Sequence, residues 1–338
     1  MNPSTHPTRS RSAPLRLRLG VLALGTLAGL LLSVPACRQK PVTTQPSGDR
    51  VSVFVSIPPQ RYFVQRIGGH RVDVAVLVPP GQSHHTYEPT PKQVVSISNA
   101  RVFFRIGVPF EKNVVAKIGE AVKTLRIVDT SEGIAFRNMD AECAEEHHAP
   151  ATAPNAHDAE HEGDHHEPGE LDPHTWLDPR LVKHQAAIIC RELVALDPAH
   201  AAEYQANLDA FHIDLDNTDA RIRKALKPLA GREFFVFHPG FGYFADAYGL
   251  KQVAVETGGK QPSAKHLEEL IARAKTAGVR LIFVQPQFTR QSAEAVAQAI
   301  GGAVVVMDPL AEKYLDNLVD ISRKIEMALA GVSAGSSQ

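Results

Sequence analysis

Cysteine is scarce in this chain of 338 residues, with only Cys37, Cys143 and Cys190 present. So few thiols exclude a disulfide scaffold as the source of the fold. Tryptophan occurs once, at Trp176, and aromatic residues make up 6% of the chain. No cluster of Lys and Arg lies beyond the N-terminus, which argues against a nucleic-acid surface. No apolar run reaches the roughly 20 residues that a membrane-spanning helix needs. Two local absences divide the chain further. Residues 1–36 contain no Asp or Glu, and Met139 to Pro179 contain no Lys or Arg.

The acid-free start carries Arg9, Arg11, Arg16 and Arg18, followed by the apolar run GVLALGTLAGLLLSVPAC. Charge, then a short apolar stretch, then small residues, is the pattern of a secretory signal peptide, placed here at 1–36. Cys37 stands directly after it, as in a bacterial lipobox, and is the expected lipidation site. A plain secretory signal with a chance cysteine is the alternative. Lipid at Cys37 would hold the protein on a membrane outside the cytoplasm, in the periplasm or at the cell surface. Residues 37–50 read as a flexible tether. Without the leader's arginines the balance is 32 basic to 37 acidic residues. Cys143 and Cys190 could pair in an exported protein, but one borders an acidic loop and the other a helix, so a bridge is not expected.

From Val51 onward, β-branched runs alternate with helical segments. VSVFVSIPP, VDVAVLVPP, RVFFRIG and TLRIVDT are candidate strands, separated by QRYFVQRIGG, PKQVVSISN and FEKNVVAKIGEAV. Strand–helix alternation predicts an α/β lobe with a parallel sheet, over 51–196. Thr90 and Pro91 read as an N-cap and first helical residue. Tyr204, Leu208, Phe211, Leu215, Ile222 and Leu226 fall three or four apart, or a multiple of that, on one helical stripe. They predict a long linking helix within 197–228, opened by Asp197 and Pro198; about 28 residues would run about 42 Å. Alternation resumes with EFFVFH, QVAVET, VRLIFVQP and AVVVMDP. A second α/β lobe is expected over 229–331, with 332–338 as a tail.

Between the fourth strand and the helix at Arg180 the pattern stops. The acidic insertion 140–170 contains His147, His148, His157, His161, His165 and His166. With little apolar residue to bury, such a segment is expected to be disordered. Its imidazoles and carboxylates suit weak, multiple metal binding. A solvated acidic linker is the bland reading, which six histidines within 147–166 make the poorer one.

Open α/β sheets place ligands beyond the C-terminal ends of their strands. His84 and His85 follow VDVAVLVPP, His174 sits in LDPHTWLDP, His238 ends EFFVFH, and Asp308 ends AVVVMD. Imidazoles with one carboxylate suit Zn2+, which takes four N, O or S donors. Asp308, before a proline, also fits a helix cap. The stretches PPGQSHHTYEPTP, DPHTWLDP, FHPGFGYFADAYGL and VMDPL, together with VETGGKQPS, resemble the metal-binding solute-binding proteins of ABC transporters, and specifically their zinc-uptake branch.

The resemblance spans nearly all of the mature chain. It implies two α/β lobes joined by a long rigid helix, with one ion in the cleft between them. It assigns the metal to His85, His174, His238 and Asp308, and makes His84, where the family usually has Pro, a neighbour rather than a ligand. Histidine at position 238, where manganese-type relatives tend to have a carboxylate, points to zinc. Gln285 stands where the family often has Glu. The implied role is capture of Zn2+ and its delivery to an ABC permease with its ATPase, by a monomer without enzymatic activity. A manganese or iron receptor, or an adhesin-like relative on the same scaffold, is the alternative; a zinc hydrolase is a third reading that the resemblance disfavours.

Overall fold

The computed structural model describes residues 50–119, 125–139, 171–256, 263–288 and 290–330. They fall within a unit running from Ser47 to the C-terminus. The insertion, Cys37 and the signal segment lie outside the described residues.

The first half holds β1 (Val51–Val55), α1 (Pro58–Gly68), β2 (Val72–Val76), α2 (Pro91–Ser98), β3 (Val102–Arg105), α3 (Glu111–Gly119) and β4 (Arg126–Asp129). Its strands pair in the order β2-β1-β3-β4, all parallel. Val53, Val55, Phe103 and Phe104 are fully buried, as expected of a sheet covered on both faces. Thr90 caps α2 as its sequence predicts, its hydroxyl accepting from the Gln93 amide, with Pro91 following.

Two helices follow, α4 (Pro179–Leu196) and α5 (Ala201–Leu226). Asp178 caps α4, accepting from the Arg180 amide. The long helix is shorter at its start than the sequence pattern suggests. Asp197 does not cap it; its carboxylate instead takes the Tyr204 hydroxyl at 2.6 Å and the His200 ring at 2.8 Å, and Pro198–His200 form a 3-10 turn. The six stripe residues of α5 are all buried. They face α1, α4 and α9 (Tyr314–Leu329).

The second half repeats the first in topology, though not in sequence. It runs β5 (Glu233–Val236), α6 (Gly242–Tyr248), β6 (Lys251–Ala254), α7 (Ala264–Thr276), β7 (Leu281–Val284), α8 (Gln291–Ala299) and β8 (Ala303–Val306), then α9. The order β6-β5-β7-β8 is again fully parallel. One apolar cluster is continuous from Val53 and Phe104 of the first sheet, through Phe211 and Leu215 of α5, to Phe234, Val236 and Phe283 of the second. A smaller cluster around Phe235, Ile282 and Val296 fills the far face of the second sheet.

Candidate metal centre

Strand register builds one side of the site. Val236 pairs with Ala254 on β6 and with Phe283 on β7. Two residues further along each chain stand His238, Glu256 and Gln285. The ladder persists past the strands, with the Glu256 amide donating to the Phe237 carbonyl at 3.1 Å and the Phe237 amide to the Phe283 carbonyl at 2.7 Å. His238 therefore emerges between a carboxylate and an amide. Its Nδ1 meets the Glu256 carboxylate in a very short contact. Gln285 accepts from the His238 amide at 3.2 Å and donates to the His238 carbonyl at 2.6 Å. An ionised Glu at 285 could not make the second bond, so the amide suits this backbone. Gln252 holds the next turn, accepting from the Phe241 amide and donating to the Pro239 carbonyl. The His238 ring stacks on Phe288, with centroids 4.8 Å apart.

His174 is held by a residue two positions earlier. Asp172 Oδ1 accepts from the His174 amide at 2.9 Å and lies 2.7 Å from His174 Nδ1. Both residues are fully buried. Burial alone would raise the Asp172 carboxyl, but His174 and then Arg137 hold it below the ordinary carboxylate range. A carboxylate only accepts. The proton of each neutral ring is therefore on Nδ1 in His174 and His238, leaving the Nε2 lone pair of both for the site. Carboxylate–histidine pairing of this kind fixes the tautomer that a metal requires. Gly240 makes room: a Cβ there would stand 3.1 Å from His174 Nε2 and 3.4 Å from His238 Cδ2.

His84 and His85 come from the loop after β2. Gln93 anchors that loop, donating to the Leu77 carbonyl and accepting from the Thr90 amide and the Tyr87 hydroxyl. His84, expected from the family pattern as a neighbour of the ligands, lies within the cluster. Its Nε2 lies 3.0 Å from His174 Nε2, while His85 Nε2 lies 2.9 Å from His238 Nε2. The ligand nitrogens of His84, His85 and His174 can all lie within 4.8 Å of one another. Four donors set tetrahedrally about 2.05 Å from Zn2+ would be about 3.3 Å apart. The two contacts are a few tenths of an ångström shorter, while His238 falls outside the group of three whose donors lie within 4.8 Å, so a four-imidazole set would close on an ion only with movement of the rings. Trp176 closes the wall, its ring centroid 5.1 Å from His174 and 5.5 Å from His84, and its indole N–H donates to the Pro309 carbonyl at 2.8 Å.

Asp308 is used differently. Its Oδ1 accepts from the Leu310 amide at 2.9 Å and from Gln287 at 3.0 Å, and its carbonyl accepts from Asn317 of α9. These bonds close a turn and are not the helix cap that Asp-Pro also suggests, since α9 begins at Tyr314 with Lys313 in the cap position. His147, His148, His157, His161, His165, His166 and the lipidation candidate Cys37 lie outside the described residues. Sequence reasoning names His84 and then treats it as a neighbour, and it does not find Asp172, Glu256 or Gln252, which hold the histidines and the adjoining turn. The signal for Glu256 was present: QVAVET follows EFFVFH as the next strand of a parallel sheet, and both end in or beside a titratable residue.

Residues 53–328 match the family model of the periplasmic zinc-uptake complex component A, ZnuA. The chain belongs to this family. It is 30% identical over 290 residues to the high-affinity zinc uptake system protein ZnuA of Brucella abortus, covering 80% of this chain and 87% of that one. To the protein of the same name from Bacillus subtilis it is 29% identical over 297 residues, covering 85% and 88%. A crystal structure of a ZnuA deletion mutant with zinc bound is 38% identical, superimposes with a TM-score of 0.72, and covers 83% of this chain and 98% of that one.

Proposed function

We propose that this ZnuA-family protein captures Zn2+ outside the cytoplasm in the buried imidazole cluster and delivers it to an ABC permease driven by its ATPase. The ligands in this reading are His85, His174 and His238, with His84 as the fourth donor in place of Asp308. The observation that carries it is the pairing of His174 with Asp172 and of His238 with Glu256, which aims two unprotonated Nε2 atoms at the His84–His85 pair. An all-imidazole set favours later divalent ions over manganese. Arg137 offsets the charge of Asp172. The charge of Glu256 then faces the ion, so the bound state stays positive and is not held beyond recovery by a permease.

No helix of the described residues is long and apolar enough to cross a membrane. Attachment in this reading comes from lipid at Cys37, and the protein works as a monomer. The insertion 140–170 serves as a weaker collecting segment through His147, His148, His157, His161, His165 and His166. An H-E-x-x-H spacing does occur there, from His161 to His165. A zinc hydrolase needs those histidines on one face of a helix, and the sequence of this segment has no helical apolar periodicity. The continuous core beneath both lobes favours release by small tilts and loop movement over wide hinge opening.

The test is melting of the chelator-stripped protein with and without zinc. At about 1,000-fold excess over Kd, zinc should add about 4 kcal/mol, and the fluorescence of Trp176 should change in parallel. Excess manganese should not displace the zinc. Absence of any zinc-induced shift would end this reading.

A further inference from the structure

Arg137 lies between β4 and the insertion, outside every motif that the sequence singles out, yet it is bound into the site from several directions. Its amide donates to the Tyr243 hydroxyl at 3.0 Å, and that hydroxyl donates to the Asp172 carbonyl at 3.0 Å. The Asp172 amide donates back to the Arg137 carbonyl at 2.8 Å. Arg137 Nη1 reaches Asp172 Oδ2 at 3.3 Å, while Oδ1 of the same carboxylate holds His174. The guanidinium continues to Asp246 of α6, with Nε 3.1 Å from Oδ2. Its carbon lies 6.0 Å from the centre of the Tyr243 ring.

The guanidinium can take this path because residue 242 is glycine. A Cβ at Gly242 would stand 1.4 Å from Arg137 Nη1 and 3.0 Å from Asp172 Oδ2. Next to the Arg137–Asp172 contact, Asn138 bridges to Leu171. One side chain thus joins the segment leaving the first sheet, the carboxylate behind a histidine of the cluster, and the first helix of the second lobe. Arg137 is also only 15% exposed, so its links are little weakened by water.

We infer that Arg137 is a positioning residue for the metal: through Asp172 it fixes the ring of His174 to α6, and so sets how fast a captured ion leaves. This rests on the zinc-site reading above. Without the Arg137 side chain, Asp172 keeps its bond to His174 and its backbone bonds to residue 137 and Tyr243, but its carboxylate loses the guanidinium that ties it to α6, so the His174 ring is held less firmly. Groups behind a ligand typically change metal affinity by about 10–100-fold when removed.

The experiment is stopped-flow release of zinc from the purified protein into excess chelator, alongside equilibrium Kd and the visible spectrum of the cobalt(II) form. Arg137→Met should release zinc about 10–100-fold faster and alter the cobalt bands. Arg137→Lys, which keeps the charge, should recover part of the parental rate. Gly242→Ala, which displaces the guanidinium without removing it, should also accelerate release and covers the case in which Arg137→Met fails to fold. Parental release rates and cobalt spectra in folded Arg137→Met, or in Gly242→Ala, would overturn the inference. Failure of the parent protein to bind zinc at all would instead refute the site reading.

Discussion

Glu256, Asp172 and His84 separate what a histidine count can give from what coordinates add. His85, His174 and His238 are legible in the sequence because each lies in a segment that follows a strand or precedes a helix, where an open α/β sheet presents its ligands. Their tautomers are not legible, since these depend on carboxylates that tertiary contact brings to Nδ1. The family pattern makes His84 a neighbour only, because its position usually holds proline, a residue with no ligand atom. Two adjacent residues in an extended strand point to opposite faces, but these two lie in a loop, and their rings sit 4.1 Å apart facing the same cluster. The fourth donor can be decided by paired substitutions. His84→Ala should weaken zinc binding by about 100-fold or more, a larger loss than is usual for groups behind a ligand. Asp308→Ala should leave Kd within a factor of about 3, less than ~1 kcal/mol. Competition with a calibrated chelator measures both, and the reverse ranking would return Asp308 to the ligand set.

At the scale of elements, the alternation of strands and helices and the buried stripe of α5 could be read directly, because periodicity records burial. The polar residues that finish the strand ends could not, because a buried glutamine or glutamate looks like any surface residue in sequence. Gln60 accepts from the Ser56 and Ile57 amides and donates to Thr130, closing the ends of β1 and β4. Glu111, at the start of α3, accepts from the Ser56 hydroxyl at 2.5 Å and from the Ile106 and Gly107 amides at 2.9 and 2.8 Å. Burial nevertheless dominates and pushes the Glu111 carboxyl up to about 7 from 4.5. In that window the folded protein binds the proton more tightly than the unfolded chain, so this group's contribution to stability is complete below pH 4.5 and falls as pH rises through 7. The loss amounts to about 3 kcal/mol at one pKa unit per 1.36 kcal/mol. Denaturant unfolding of metal-free protein across this range should show that decline in the parent. Glu111→Gln should remove it from the variant's curve, while also costing stability at acid pH because its NH2 faces amide donors. Parallel pH profiles for the two proteins would contradict the assignment.

The whole molecule poses a different question: whether two sheets with the same strand order melt as two domains. The sequence reads as two lobes, and a rigid helix between them would by itself allow independent folding. Packing argues otherwise. Phe234, Val236 and Phe283 of the second sheet belong to the same buried cluster as Val53, Val55 and Phe104 of the first. That cluster is closed by α1, α4, α5 and α9, and it includes Trp176 beside the site. Unfolding either sheet alone would expose the apolar faces of α5 and α9, where each large side chain returned to water costs about 1.5–3 kcal/mol. Phe63, Phe211 and Tyr314 meet there, with Phe63 and Tyr314 ring centres 4.8 Å apart. A half-folded chain would therefore lose more than it keeps. Calorimetry of the metal-free protein should give a single transition, with calorimetric and van't Hoff enthalpies agreeing. Zinc should move that transition as a whole, because the proposed imidazole ligands come from both halves. Phe211→Ala should lower the same transition, at a cost of about 3–5 kcal/mol, without splitting it. Two resolved transitions in the metal-free protein, only one of them moved by this substitution, would show that the lobes fold separately and are brought together by the ion.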